Sequence, residues 1–115
     1  MNGSQTETIR AAFADIWARS LPLINQRVAA AEQAAIEMEK PSPDFDRIEL
    51  GRAEAHKLAG VLGTFGLSRG TTLAEDLEEC FGGGRASDAR EPARIAKELR
   101  SIVEEAKVAP TDRSP

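Results

Sequence analysis

Three interruptions divide the chain and limit what it can become. "KPSP" (residues 40–43), "GTFG" (63–66) and "GGG" (82–84) each put proline or glycine where a regular element must stop. Between them, apolar residues recur at helical spacing in every segment. Strand signals are few: there is no tyrosine, and the Asn2-Gly3 pair sits at the extreme N-terminus rather than between two apolar runs. Ala, Leu, Glu, Arg and Gln, all good helix formers, are abundant. The chain is expected to be all-α.

The first segment, residues 5–19, has Ile9, Phe13, Ile16 and Trp17 as its apolar stripe. A second starts near Ser20, a suitable N-cap, with Pro22 in the first turn, where proline is tolerated. Ile24, Val28, Ala31, Ala35 and Met38 share its inner face. The sequence leaves open whether these two are one kinked helix. A third segment begins at Pro43 or Asp44 and runs to Leu62, with Ile48, Gly51, Ala55, Leu58 and Leu62 inward. A fourth runs from Gly66 or Leu67 to Phe81, with Leu73, Leu77 and Phe81 inward. A fifth opens at Ser87 as N-cap, with Glu91 and Pro92 early, and turns Ile95, Leu99, Ile102, Val103 and Ala106 inward. No such helix can bury its stripe alone, so an antiparallel bundle over residues 1–107 is expected. Residues 108–115 read as a disordered tail or a linker.

With 115 residues, 41% hydrophobic and 30% charged, the chain has the profile of one soluble globular domain. No apolar run approaches the ~18 residues of a membrane span, and no apolar stretch follows Met1 as in a secretory signal. A cytoplasmic location is the expectation. Cys80 stands alone, which rules out an internal disulfide and is too little for a zinc site. The net charge is −4, with basic residues mixed among acidic ones, so nucleic acid is not an expected partner. A domain of this size is expected to be monomeric, although an apolar rim near His56 leaves dimerisation open.

The one histidine, His56, falls in "AHKLAGVLGTFGL". At about 100° per residue it is turned a quarter-turn from the buried Ala55, towards the flank of its helix. Gly60 projects about 40° to one side of it and Gly63 about 20° to the other, with Arg52 one turn earlier and Lys57 a further quarter-turn round. The surface C-terminal to the imidazole is stripped of side chains. A glycine inside a helix costs about 0.5–1 kcal/mol relative to alanine, so Gly60 calls for a reason. Either a neighbouring helix presses close, or another protein needs access to the ring. No nucleophile elbow, Walker loop or metal-ligand cluster accompanies His56, and Glu78/Glu79 read as a solvated face. Neutral imidazole is a competent nucleophile near pH 7 and can carry a phosphoryl group on a ring nitrogen.

The run of residues 55–78 resembles the signature of histidine-containing phosphotransfer (HPt) domains. It has His56, a hydrophobic residue two positions on (Leu58), a glycine four positions on (Gly60), and a glycine-containing turn, Gly63-Thr64-Phe65-Gly66, into the next helix. The resemblance implies an antiparallel four-helix bundle with an additional N-terminal helix or kinked extension. It implies a phosphoryl carrier between aspartates of receiver domains, with His56 phosphorylated and Arg52, Lys57, Ala59, Gly60 and Gly63 around the phosphate and the docking partner. Response-regulator receivers, and a histidine kinase in some systems, would be partners. The chain itself would need no cofactor, any Mg²⁺ would sit on the receiver, and there would be no autonomous ATP-dependent kinase activity. One departure stands out: the family often has lysine three residues after the histidine, and here that place is Ala59. Slower transfer or a shorter-lived phosphohistidine is expected from it. The residues leave a second reading open, a helical interaction domain that binds a receiver or kinase without being phosphorylated.

Overall fold

The structure is a computed structural model describing residues 3–84 and 88–106. Four helices follow in order: α1 (Gly3–Met38), α2 (Phe45–Thr64), α3 (Ser68–Phe81) and α4 (Glu91–Ala106). They form an all-α bundle in which α1 packs chiefly on α2, α2 on α3, and α4 closes the side between α3 and α1. The core is aliphatic: Trp17, Ile24, Val28, Leu58, Leu62, Leu73, Leu77, Leu99 and Val103 are all buried.

The first two expected segments are one helix of 36 residues with Pro22 inside it. Ser20 is therefore not an N-cap, and the additional N-terminal helix is an extension of α1 itself. Proline in a helix interior costs about 3 kcal/mol. Burial of Trp17 and Ile24 on either side of Pro22, both 1% exposed, outweighs that cost by holding one continuous face against the bundle. A helix of this length spans about 54 Å, close to the 57 Å long axis of the molecule. Phe65, at the far end of α2, stacks on Phe13 and meets Trp17 edge-on, with centroids 5.2 and 4.9 Å apart. Residues of α1 before Phe13 thus run past the end of α2. This corrects the expected stripe: Ile9 and Ile16 are each 52% exposed, because they lie a quarter-turn off the line of Trp17, Ile24 and Val28.

Helix α2 begins where a helix should. Asp44 is its N-cap, and its side chain accepts from the backbone N–H groups of Asp46 and Arg47. Its buried residues are Ile48, Gly51, Ala55, Leu58 and Leu62, as the periodicity requires. At Gly51 the α1 and α2 backbones nearly touch. A Cβ there would lie 2.3 Å from the Ala34 Cβ and 3.3 Å from the Ala30 carbonyl oxygen. The connection before α2 is tied down by Glu37, which is buried at the end of α1. Its carboxylate accepts from Lys40 Nζ at 2.6 Å and from the Asp44 N–H at 2.8 Å.

Helices α2 and α3 both end in Schellman motifs. Gly66 has φ +74°, its N–H donates to the Gly63 carbonyl at 3.0 Å, and the Leu67 N–H donates to the Leu62 carbonyl at 2.9 Å. Gly83 repeats the pattern with φ +85° and the Gly84 N–H on the Glu79 carbonyl at 3.0 Å. Ser87 lies outside the described residues. Helix α4 starts later than expected, at Glu91, with the Asp88 carboxylate accepting from the Arg90 N–H at 2.9 Å. Its buried face adds Pro92 and Ala96 to the expected set, while Ile102 is only partly buried. The expected tail, residues 108–115, also lies outside the described residues.

Two outcomes test this packing. Gly51→Ala should destabilise the domain by about 1–3 kcal/mol, because the added methyl must push α1 and α2 apart, and thermal melts will read the loss as a lower Tm. Glu37 is held below the ordinary carboxylate range, first by the hydrogen bond from Lys40 and then by that from the Asp44 N–H. Folding therefore favours its ionised form, and that stabilisation is present at neutral pH and lost as pH falls through the lowered value. Glu37→Gln should flatten part of the acid limb of a stability-versus-pH curve measured by urea denaturation.

Candidate functional site

The Gly66 turn folds α3 back antiparallel along α2, so residues equally distant from Leu67 come level. A Cβ at Gly63 would lie 3.5 Å from Thr71 Oγ1, and one at Gly82 would lie 3.7 Å from Arg52 Cδ. By the same register His56 meets Glu78, 22 residues later and centred on the same turn. His56 Nδ1 is 3.0 Å from Oε2 and 3.1 Å from Oε1 of Glu78. The imidazole is 71% exposed and the carboxylate 29%.

An ionised carboxylate can only accept, so this contact requires the proton on Nδ1. In the neutral ring the lone pair is then left on Nε2, at the far side of the ring. The geometry thus selects one tautomer and one nucleophilic nitrogen on an exposed ring.

The glycines beside His56 separate into different roles. Nothing lies within 4 Å of the position a Cβ would take at Gly60, and Gly63 would make only ordinary van der Waals contact with Thr71. Close packing, one of the two explanations the sequence leaves for Gly60, is therefore not its reason. Gly60 and Gly63 are both exposed, and the surface beyond the ring is bare. Gly66, by contrast, is required by its left-handed backbone. Ala59 is half-buried against the core, with its carbonyl accepting from Thr71 Oγ1 at 3.4 Å. Phe45, 73% exposed, lies three turns before His56 at nearly the same angle around α2.

The charges around the ring form a chain. Arg52 Nη1 is 3.8 Å from Glu78 Oε2, while its Nε and Nη2 grip Glu49 at 2.5–3.1 Å. That fork holds the Glu49 carboxyl below its usual range and raises the Arg52 guanidinium further. Of the basic residues singled out in the sequence, Arg52 therefore stands on the histidine's flank but is already engaged by Glu49. Lys57 is not brought to the ring: it pairs with Glu54 at 3.1 Å, a further quarter-turn round α2 from His56.

Glu78 is the residue that sequence reasoning misplaced as part of a solvated face. The signal was available in the turn: an antiparallel return about Leu67 puts position 78 opposite 56. What periodicity could not supply is the exact centre of that return, which the Schellman geometry of Gly66 fixes.

The sequence model of the Hpt domain family matches residues 15–109. No curated protein and no solved structure gives a significant match to the chain. The family match spans most of the chain and coincides with a helical bundle that presents an exposed histidine, so the chain belongs to the Hpt domain family, whose members serve phosphotransfer in two-component signalling.

Proposed function

We propose that this domain carries a phosphoryl group on Nε2 of His56 and exchanges it with the aspartyl phosphate of a receiver domain. The observation that carries this reading is the Nδ1–Glu78 bond on an otherwise exposed ring. In the transfer the Nε2 lone pair attacks phosphorus, the N–P bond forms, and the P–O bond to the aspartate breaks. The aspartate leaves as a carboxylate. The ring proton stays on Nδ1, and the positive charge that develops on the imidazole is met by Glu78. Reversal of the same step delivers the group to another aspartate.

Bare Gly60 and Gly63 let the incoming acyl phosphate approach along α2 without meeting a side chain. The phosphoryl oxygens would find their nearest fixed cation in Arg52, at the expense of its fork with Glu49. With alanine at 59 and Lys57 turned to Glu54, the site offers the phosphate less positive charge than a lysine three residues after the histidine would. Those same engaged cations are what favour the second reading, docking without phosphorylation. Phe45 extends the docking face three turns along α2 from the reacting nitrogen.

A receiver charged with acetyl phosphate in the presence of Mg²⁺ should pass acid-labile label to this chain. His56→Gln should take up none, and label retained by that variant would end the assignment. Glu78→Gln should slow transfer by about ten- to a hundredfold with the fold intact, by analogy with the loss of other carboxylates that orient a histidine. Receiver binding that survives His56→Ala, with no label on the unaltered chain, would establish the non-phosphorylated reading instead.

The bare glycine supplies a separate test. Gly60→Ala should stabilise the domain by about 0.5–1 kcal/mol in chemical denaturation, since the methyl meets nothing and helix propensity improves. Gly60→Arg should keep the fold yet block transfer by standing in the approach path.

A further inference from the structure

Helix α1 carries a second apolar line that the bundle does not use. Ile9, Ile16 and Leu23 recur every seven residues and are 52%, 52% and 47% exposed. They lie roughly a quarter- to a third-turn from the buried line through Trp17 and Ile24. Apolar residues repeated every seven positions make a narrow line, or seam, on one side of a helix, one of the two positions per heptad that a two-stranded coiled coil buries. Seven residues beyond Leu23, at Ala30, the seam is closed by α2, where the Ala30 carbonyl approaches the Gly51 position at 3.3 Å. From Leu23 back to Ile9 no described helix covers it, and Ile9 stands on the part of α1 that outruns α2. A projecting stretch of helix this short is marginal in water without packing.

We infer that the occupant is the same seam on a second copy of the chain, paired antiparallel about a two-fold axis at Ile16. The seam is symmetric about that residue, with Ile9 seven positions before it and Leu23 seven after. The two-fold sets Ile16 against Ile16 and Ile9 against the other copy's Leu23. Each projecting end then lies on the other copy's bundle. The charges agree with this symmetry. Asp15 and Arg19 form an exposed ion pair along one border of the seam. In an antiparallel pair the same border of both helices faces itself, so Asp15 comes within a turn of the other copy's Arg19, twice over. A parallel pair would separate these borders. The result is an isologous, closed dimer. With only three aliphatic layers on each side, it is a weak one. His56 lies on the flank of α2 that faces α3, so the pairing leaves the ring open. The inference does not rest on phosphorylation of His56.

Sedimentation equilibrium of the full chain up to about 500 µM should show a monomer–dimer equilibrium with a dissociation constant in the micromolar range. Ile16→Lys should weaken it at least tenfold, with circular dichroism reporting an intact fold. Ile36→Lys, equally exposed but elsewhere on α1, should not. Ile9→Lys, on the projecting end, tests the same seam should Ile16→Lys fail to fold. Asp15→Arg should weaken the dimer, and adding Arg19→Asp should restore it. Register is read by oxidation, since the native Cys80 is buried. Ile16→Cys should crosslink with itself, and Ile9→Cys should crosslink with Leu23→Cys but not with itself. A monomer throughout the concentration range, a dimer indifferent to Ile16→Lys and Ile9→Lys, or self-crosslinking of Ile9→Cys would overturn the proposal.

Discussion

The turn between α2 and α3 determines the site more than any side chain in it. Gly66 takes a left-handed backbone, and the Leu67 and Gly66 N–H groups satisfy the last carbonyls of α2. That geometry reverses the chain within three residues and sets the register of the return. Two consequences follow from one constraint. Leu62, Leu73 and Leu77 meet in the core, and Glu78 meets His56 on the outside. A register shifted by one residue would turn Glu78 through about 100° and leave the imidazole with neither a fixed tautomer nor a fixed ring plane.

The electrostatic arrangement is frugal. His56, Glu78, Arg52 and Glu49 form a line in which every contact is partly exposed to water, so each is screened and individually weak. Such a line orients groups without locking them. Arg52 is held mainly by Glu49 and only loosely by Glu78. A buried salt bridge could not be remade so readily, because breaking it would strand a charge in a low dielectric.

The glycines show how one residue type answers different physical demands along one chain. Gly51 exists because Ala34 leaves no room for a methyl, Gly66 because an L side chain disfavours its backbone, and Gly60 for neither reason. A glycine that sits in a helix with open space around it costs stability that no packing contact requires. The seam on α1 makes a related point. Ile9, Ile16 and Leu23 are exposed on α1, and the proposed pairing is what would cover them.

Much of this molecule follows from local rules. Periodicity alone yields five apolar segments, the first two of which the structure joins into α1, and for α2 the complete buried set of Ile48, Gly51, Ala55, Leu58 and Leu62, because a helix of uniform pitch must present every third or fourth residue to its neighbours. The stops at "KPSP", "GTFG" and "GGG" are likewise local, since proline and glycine act on their own backbone. His56 on the flank of α2, beside bare Gly60, was legible for the same reason. Three matters were decided only when helices packed. Helix α1 passes through Pro22 because burial of Trp17 and Ile24 exceeds a local penalty that, read in isolation, leaves one helix or two equally open. Ile9 and Ile16 point outward because the partner helices cover the line through Trp17, Ile24 and Val28, a quarter-turn away on α1. Glu78 reaches the imidazole because of the register of two helices, which no local rule supplies. Local sequence sets backbone preference and pitch, whereas which side chains touch across 22 residues is fixed by the turn and the shared core.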